Sequence, residues 1–226
     1  PDHWHGRMLV DAMNAGKDVY VEKPMTHTPE EAIAVCDAWQ RTGRVVTVGV
    51  QSMADGVWVR AFDTIRLGGI GHVAHSQGGI FRNDARGQWR FYRLAKEMTP
   101  KTVDWDLFLG HGFELAGRKL GPTPKEQPFD RAAFAQWRTL WAFSSGPFAD
   151  LLTHPVAHLS AAMGVRFPAR VTAGGGTYLE HDGREVPDVS TLVADYDEGC
   201  QLVLTAATVT GYPVEEILAL TGQRNG

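Results

Sequence analysis

Lys17-Asp18-Val19-Tyr20-Val21-Glu22-Lys23-Pro24-Met25-Thr26-His27-Thr28 is the stretch that decides the fold. Val19, Tyr20 and Val21 are β-formers in a run too short for a helix, bounded by Gly16 and Pro24, and they predict a strand buried in a parallel sheet. Glu22 and Lys23 leave at its carboxyl end, the edge where open α/β sheets bind ligands. A lysine held there by a proline can donate a proton or polarise a carbonyl. The same residues also suit a plain surface turn, since lysine is usually exposed.

Working outward, Met8, Leu9, Ala12 and Met13 share one face of a helix over His5 to Ala15 that stops at Gly16. Downstream, Thr28-Pro29-Glu30-Glu31 is a capping box with proline at the first helical position. Ala32, Val35, Cys36 and Trp39 then mark the apolar face of a helix ending at Gly43. Arg44 to Val50 give a further apolar strand. Helix, strand, helix, strand is the tail of a doubly wound parallel sheet.

Glu22-Lys23-Pro24 after a strand, with Pro1-Asp2-His3-Trp4-His5 one helix upstream, resembles the Gfo/Idh/MocA oxidoreductase family. The resemblance implies a Rossmann-type domain followed by an α+β substrate domain, NAD or NADP as cofactor, and Lys23 as an active-site lysine beside the nicotinamide. It also implies that Pro1, Trp4, His5, Glu22 and Lys23 lie along the cofactor. The family's first strand and Gly-rich phosphate loop are expected before Pro1, with the residue that separates NAD from NADP.

The pattern changes near Gln51 to Asp55, and the domain boundary is placed there. Residues 1–52 are read as the C-terminal half of a dinucleotide-binding domain, and 53–226 as an incomplete α+β substrate domain with a largely antiparallel sheet. Trp58, Ala61, Phe62 and Ile65 predict a helix running to Gly68-Gly69, then a strand from about His72 to Phe81. Arg82 to Gln127 is rich in charge, Gly and Pro, a long loop of the kind that is often functional. Phe134, Trp137 and Trp141 space a helix, and a second is expected from about Pro147 to Met163. Strands follow over Arg170 to Leu179, Thr191 to Tyr196 and Gln201 to Val209, the last two joined in a hairpin at Asp197-Glu198-Gly199. Glu215 to Leu220 begins another apolar segment.

Asp150 and His154 are four apart and would share a helix face, where a carboxylate can orient an imidazole and raise its basicity. They fall in Gly146-Pro147-Phe148-Ala149-Asp150-Leu151-Leu152-Thr153-His154, which is similar to the family's second motif. The resemblance implies that both face Lys23 across the cleft. Pro155 is a departure and is expected to kink the helix at His154. His158 extends that face at the spacing of two zinc ligands, but no glutamate follows the first histidine as in a zincin; no metal is expected, and His158 is read as core. His3 and His5 are read as cleft-lining.

Gln51 and Arg138 are further candidates for substrate binding, against plainer readings as a turn cap and a helix-surface arginine. Gly69-Ile70-Gly71-His72-Val73-Ala74 fits a dinucleotide fingerprint in the wrong context, leaving a helix and entering a strand. Gly174-Gly175-Gly176 is read as a bulge or a close backbone approach.

The chain has 226 residues, 43% hydrophobic and 21% charged, with a formal net charge of -4. That composition allows a sizeable core. Without a concentrated basic face, neither nucleic acid nor an acidic membrane is expected as partner. Cys36 and Cys200 give no disulfide framework and read as buried small hydrophobes. The compartment is left open between cytoplasm and, if a leader has been lost with the N-terminus, periplasm.

The function expected is hydride transfer between a nicotinamide and a secondary alcohol of a sugar, cyclitol or related polyol, in a homo-oligomer built through the substrate-domain sheet. Two rivals remain: an NAD-dependent glycosidase using the same apparatus by transient oxidation and elimination, and a non-catalytic sugar or cofactor sensor on the same fold.

Overall fold

The computed structural model describes residues 1–84, 86–110 and 125–209. It opens with helix α1 (Asp2–Asn14), strand β1 (Val19–Glu22), helix α2 (Pro29–Thr42) and strand β2 (Val46–Gly49). β1 and β2 pair in parallel, Val19 opposite Val46 and Glu22 opposite Gly49. The Thr28 side chain accepts from the Glu31 backbone N–H at 3.3 Å, and Gly43 ends α2 with φ 63°, which only glycine adopts without strain.

Leu9, Val10 and Met13 of α1 pack on Ala34, Val35 and Ala38 of α2 over Val19, Val21 and Val46. Both helices are rotated from the expected faces: Met8, Cys36 and Trp39 are exposed. Small residues explain the rotation, because Gly6 meets the Glu31 side chain so closely that an added Cβ would lie 3.1 Å from Glu31 Cβ. Close helix approach outweighs the larger apolar side chains. Tyr20, expected to be buried, is 70% exposed on the face of the sheet that α1 and α2 leave open.

Helix α3 (Gly56–Arg66), capped by Asp55, leads through the turn at Gly68 to Gly71 into strand β3 (His75–Phe81), so the misplaced fingerprint forms a helix-to-strand turn. The segment after β3 carries α4 (Trp105–Leu109), α5 (Arg131–Ala135) and a single 3₁₀ turn, Trp137–Thr139. The long helix expected through Phe134, Trp137 and Trp141 is replaced by these short pieces, whose aromatic rings join Trp105, Leu109 and Phe143 in a small core.

The helix expected over Pro147 to Met163 is two: α6 (Gly146–Asp150) and α7 (Thr153–Met163), separated at Leu151 and Leu152. Both leucines are buried in the main core with Leu202, Leu204 and Ala206. Pro155 falls in the first turn of α7, where a missing N–H removes no intrahelical bond. The bend therefore comes before His154, at the leucines, and not from the proline.

Strands β4 (Arg170–Gly176), β5 (Val189–Tyr196) and β6 (Cys200–Ala207) complete a four-stranded sheet in the order β3-β6-β5-β4. β5 pairs antiparallel with both β4 and β6, and β3 runs parallel to β6. The 196–200 hairpin forms as expected. Gly175 is a close approach: a Cβ there would meet the Val189 carbonyl at 2.6 Å. β4 stops at Gly176, short of the expected Leu179, because the next backbone N–H groups turn onto a carboxylate. The expected apolar segment Glu215 to Leu220 lies outside the described residues.

Candidate active site

The carboxyl ends of β1 and β2 and the junction between α6 and α7 border one cleft of about 410 Å³. Lys23 sits one residue past β1, its peptide bond to Pro24 is cis, and its backbone N–H donates to Gly49 O. Its ammonium donates to Asp150 Oδ1 at 2.9 Å and also to the Asp150 carbonyl. Arg138 Nε reaches the same Oδ1 at 3.4 Å, and its guanidinium lies 4.2 Å from the Trp137 ring centroid and 5.7 Å from that of Tyr92. One buried carboxylate thus holds two cations, an arrangement that fixes all three groups.

Gly146 opens α6 with φ 61°, packed against Val186 and Trp141, which turns the short helix so that Asp150 points at Lys23. His154 lines the same cleft, but among the described residues no hydrogen bond joins it to Asp150. The helix break removes the shared face that the four-residue spacing implied. His154 is also less basic than usual. Burial lowers its pKa, the Lys23 charge lowers it further, and Asp150 opposes them only in part.

His158 is turned away, its Nδ1 bonded to the His154 carbonyl at 2.7 Å and its ring 4.5 Å from that of Trp58. Gln51 and Glu22 lie on the cleft wall, both exposed. His5 supports the Lys23 turn from behind, with Nδ1 2.7 Å from the Pro24 carbonyl. Pro1 and Trp4 border a separate apolar depression with Met8 and Phe134. His3 is not cleft-lining: with Trp4 it bonds the Phe108 carbonyl, and burial first of all brings its pKa down to about 4.

Sequence reasoning missed the opposite wall, formed by Arg82, Gln88, Trp89, Phe91 and Tyr92. Its only sequence signal was the length of the Arg82 to Gln127 loop. Trp89 is a buried non-glycine residue at φ 66°, a conformation that surrounding structure must enforce. Glu180 Oε1 accepts from the Gln88 N–H at 2.9 Å, and Arg184 Nη2 donates to the Gln88 carbonyl at 3.1 Å. Gln136 Nε2 donates to the carbonyls of Arg90 and Tyr92, at 3.1 and 2.9 Å. Arg184 in turn pairs with Glu180 and Asp182, and Asp188 accepts the N–H groups of Tyr178, Leu179 and Glu180.

Residues 1–50 match a family described as "Oxidoreductase family, NAD-binding Rossmann fold", and residues 121–225 match the "GFO/IDH/MocA C-terminal domain". The chain belongs to the Gfo/Idh/MocA family. It is 33% identical over 78 residues to scyllo-inositol 2-dehydrogenase (NAD(+)) of Bacillus subtilis, covering 34% of this chain and 23% of that protein. An alpha-N-acetylgalactosaminidase of Shewanella oneidensis is 26% identical over 140 residues, 58% of this chain and 28% of that protein. In fold, the chain is similar to the WlbA dehydrogenase from Bordetella pertussis, solved with NADH and UDP-GlcNAcA. The TM-score is 0.64 and the identity 18%, over 94% of this chain and 51% of that one. The chain thus spans about half the length of that solved structure.

Proposed function

We propose that this chain carries the substrate cleft of an NAD(P)-dependent oxidoreductase acting on a secondary alcohol of a sugar, cyclitol or related polyol. The observation that carries the reading is the Lys23–Asp150 ion pair at the carboxyl end of a parallel strand, in a cleft that His154 also lines. The division at residue 52 belongs to the same reading, as does an oligomer built through the four-stranded sheet, where Val171 and Phe81 are exposed.

The residues present fit the nicotinamide end of a dinucleotide. Gly49 closes β2 with no side chain, and the Tyr20 ring lies over it, a Cβ there falling 2.4 Å from the Tyr20 hydroxyl, so a flat aromatic ring lines the cleft beside Lys23. When bound, the cofactor supplies the two-electron acceptor. Lys23, clamped by Asp150, donates a hydrogen bond to the substrate oxygen. His154, neutral because its pKa is lowered, takes the hydroxyl proton as the C–H bond gives up its electron pair as hydride. The products are a ketone, the reduced cofactor and a protonated imidazole, which balances charge and electrons. Gln51 and Arg138 line the path of the substrate and Glu22 the cofactor side, with His5 supporting the Lys23 turn from behind.

The alignment with an alpha-N-acetylgalactosaminidase supports a second reading, transient oxidation followed by elimination. Incubating the full-length protein with NAD or NADP and a panel of inositols, aldoses and glycosides separates them. Reduced cofactor accumulating with a ketone supports the oxidoreductase; glycoside cleavage with cofactor unchanged supports the glycosidase. Binding of both ligands with no reaction refutes both and leaves a sensor.

A further inference from the structure

The geometry points to an anion subsite at Arg82, so that the preferred substrate is a sugar or polyol bearing a carboxylate rather than a neutral one. Arg82 follows β3 at the rim of the cleft, and among the described residues no carboxylate pairs with it. The one acidic group deep in the cleft, Asp150, is already shared by Lys23 and Arg138. Against Asp150 and the exposed Glu22 stand Lys23, Arg138 and Arg82, so the cleft lining keeps an excess of positive charge.

Arg82 is also aimed. With the Gln88 amide oxygen turned toward them, Arg82 Nη1 and Trp89 Nε1 donate to it at 3.1 and 3.3 Å. Gln88 is 2% exposed, and its backbone is held on both sides by Glu180 and Arg184. A buried, doubly anchored amide that orients an exposed guanidinium into a cleft leaves the other N–H groups of that guanidinium to a ligand. A planar guanidinium matches a carboxylate through two parallel hydrogen bonds, whereas a neutral hydroxyl uses only one. The cleft volume of about 410 Å³ suits a monosaccharide-sized ligand.

The inference rests on the oxidoreductase reading, and its test separates the two. The full-length protein and its Arg82→Ala and Arg82→Lys forms are assayed with NAD(P) on matched pairs, an aldose and its uronic acid. In parallel, calorimetry measures binding of each sugar. Wild type should prefer the acid, and Arg82→Ala should lower kcat/KM for the acid at least about tenfold more than for the neutral partner, chiefly through KM. Arg82→Lys should recover part of the loss, since it keeps the charge and loses the fork. Equal losses for both sugars, or no acid preference in wild type, would overturn the subsite. If no sugar turns over, tighter binding of the acid that depends on Arg82 keeps the subsite while the oxidoreductase reading fails. Equal binding of acid and neutral sugar then overturns the subsite as well.

Discussion

Lys23 and Asp150, 127 positions apart in the chain, meet as a 2.9 Å ion pair with only 15% and 9% of their side chains exposed. Lys23 directly follows a strand of the first sheet and Asp150 ends a one-turn helix lying on the second. The pair closes the cleft between them.

Lys23 and Asp150 should therefore act as one unit. In a double-mutant cycle of Lys23→Met with Asp150→Asn, scored on kcat/KM, the combined loss should fall short of the sum by about 1 kcal/mol or more. The cycle of Asp150→Asn with His154→Asn should be closer to additive, because those two side chains share no hydrogen bond. Additivity in the first cycle and strong coupling in the second would restore the relay that the spacing suggested.

On the proposed mechanism, the acid limb of alcohol oxidation should report His154. Burial and Lys23 lower its pKa from the ordinary 6.5, so the imidazole is neutral and able to accept a proton at pH 7. Activity should fall only as the pH drops below that ordinary value, when the base becomes protonated. Removing the Lys23 charge should raise the His154 pKa and move the limb of the residual Lys23→Met activity to higher pH. A pH–rate profile of kcat/KM checks this; a limb that stays fixed in Lys23→Met would take His154 out of the reach of that charge.

The Arg184 side chain is wholly buried between Glu180 and Asp182 and holds the Gln88 carbonyl. Arg184→Met leaves the buried Glu180 carboxylate without its cation, while Asp182 keeps Arg90, and should cost about 3 kcal/mol in chemical denaturation. KM for the sugar should rise more than kcat falls, because the wall loosens while Lys23 stays in place. Burial alone would raise the pKa of Asp188, but three backbone N–H groups outweigh it and hold the carboxyl below 3.8. Asp182 is held low in the same way by Arg184 and Arg90. With folded values below unfolded ones, their contribution is complete above about pH 4 and is lost as the pH falls further. In an acid titration followed by circular dichroism, Asp188→Asn should flatten this acid-induced loss of stability.

The local signals held where one short stretch sets the structure. Thr28-Pro29 starts α2, Gly43 ends it, and Asp197-Glu198-Gly199 turns the hairpin, because each acts through its own backbone. The break between Asp150 and His154 was hidden for the opposite reason. Phe148, Leu151 and Leu152 are all apolar, and only the sheet beneath them, with Leu202 and Leu204, dictates that the chain bend to bury both leucines. The Gln88 wall has no period at all, and its anchor Arg184 lies 96 positions away. Such partners are visible only once the chain is folded.

The turnover of Lys23→Met in the full-length protein, measured with its affinity for NAD(P), reports on Lys23 without intermediaries. A residue that polarises the reacting oxygen should lower kcat by at least about a hundredfold when removed, with cofactor affinity changed little. Unchanged turnover in Lys23→Met, beside an active wild type, would mean that the Lys23–Asp150 pair is not the catalytic centre.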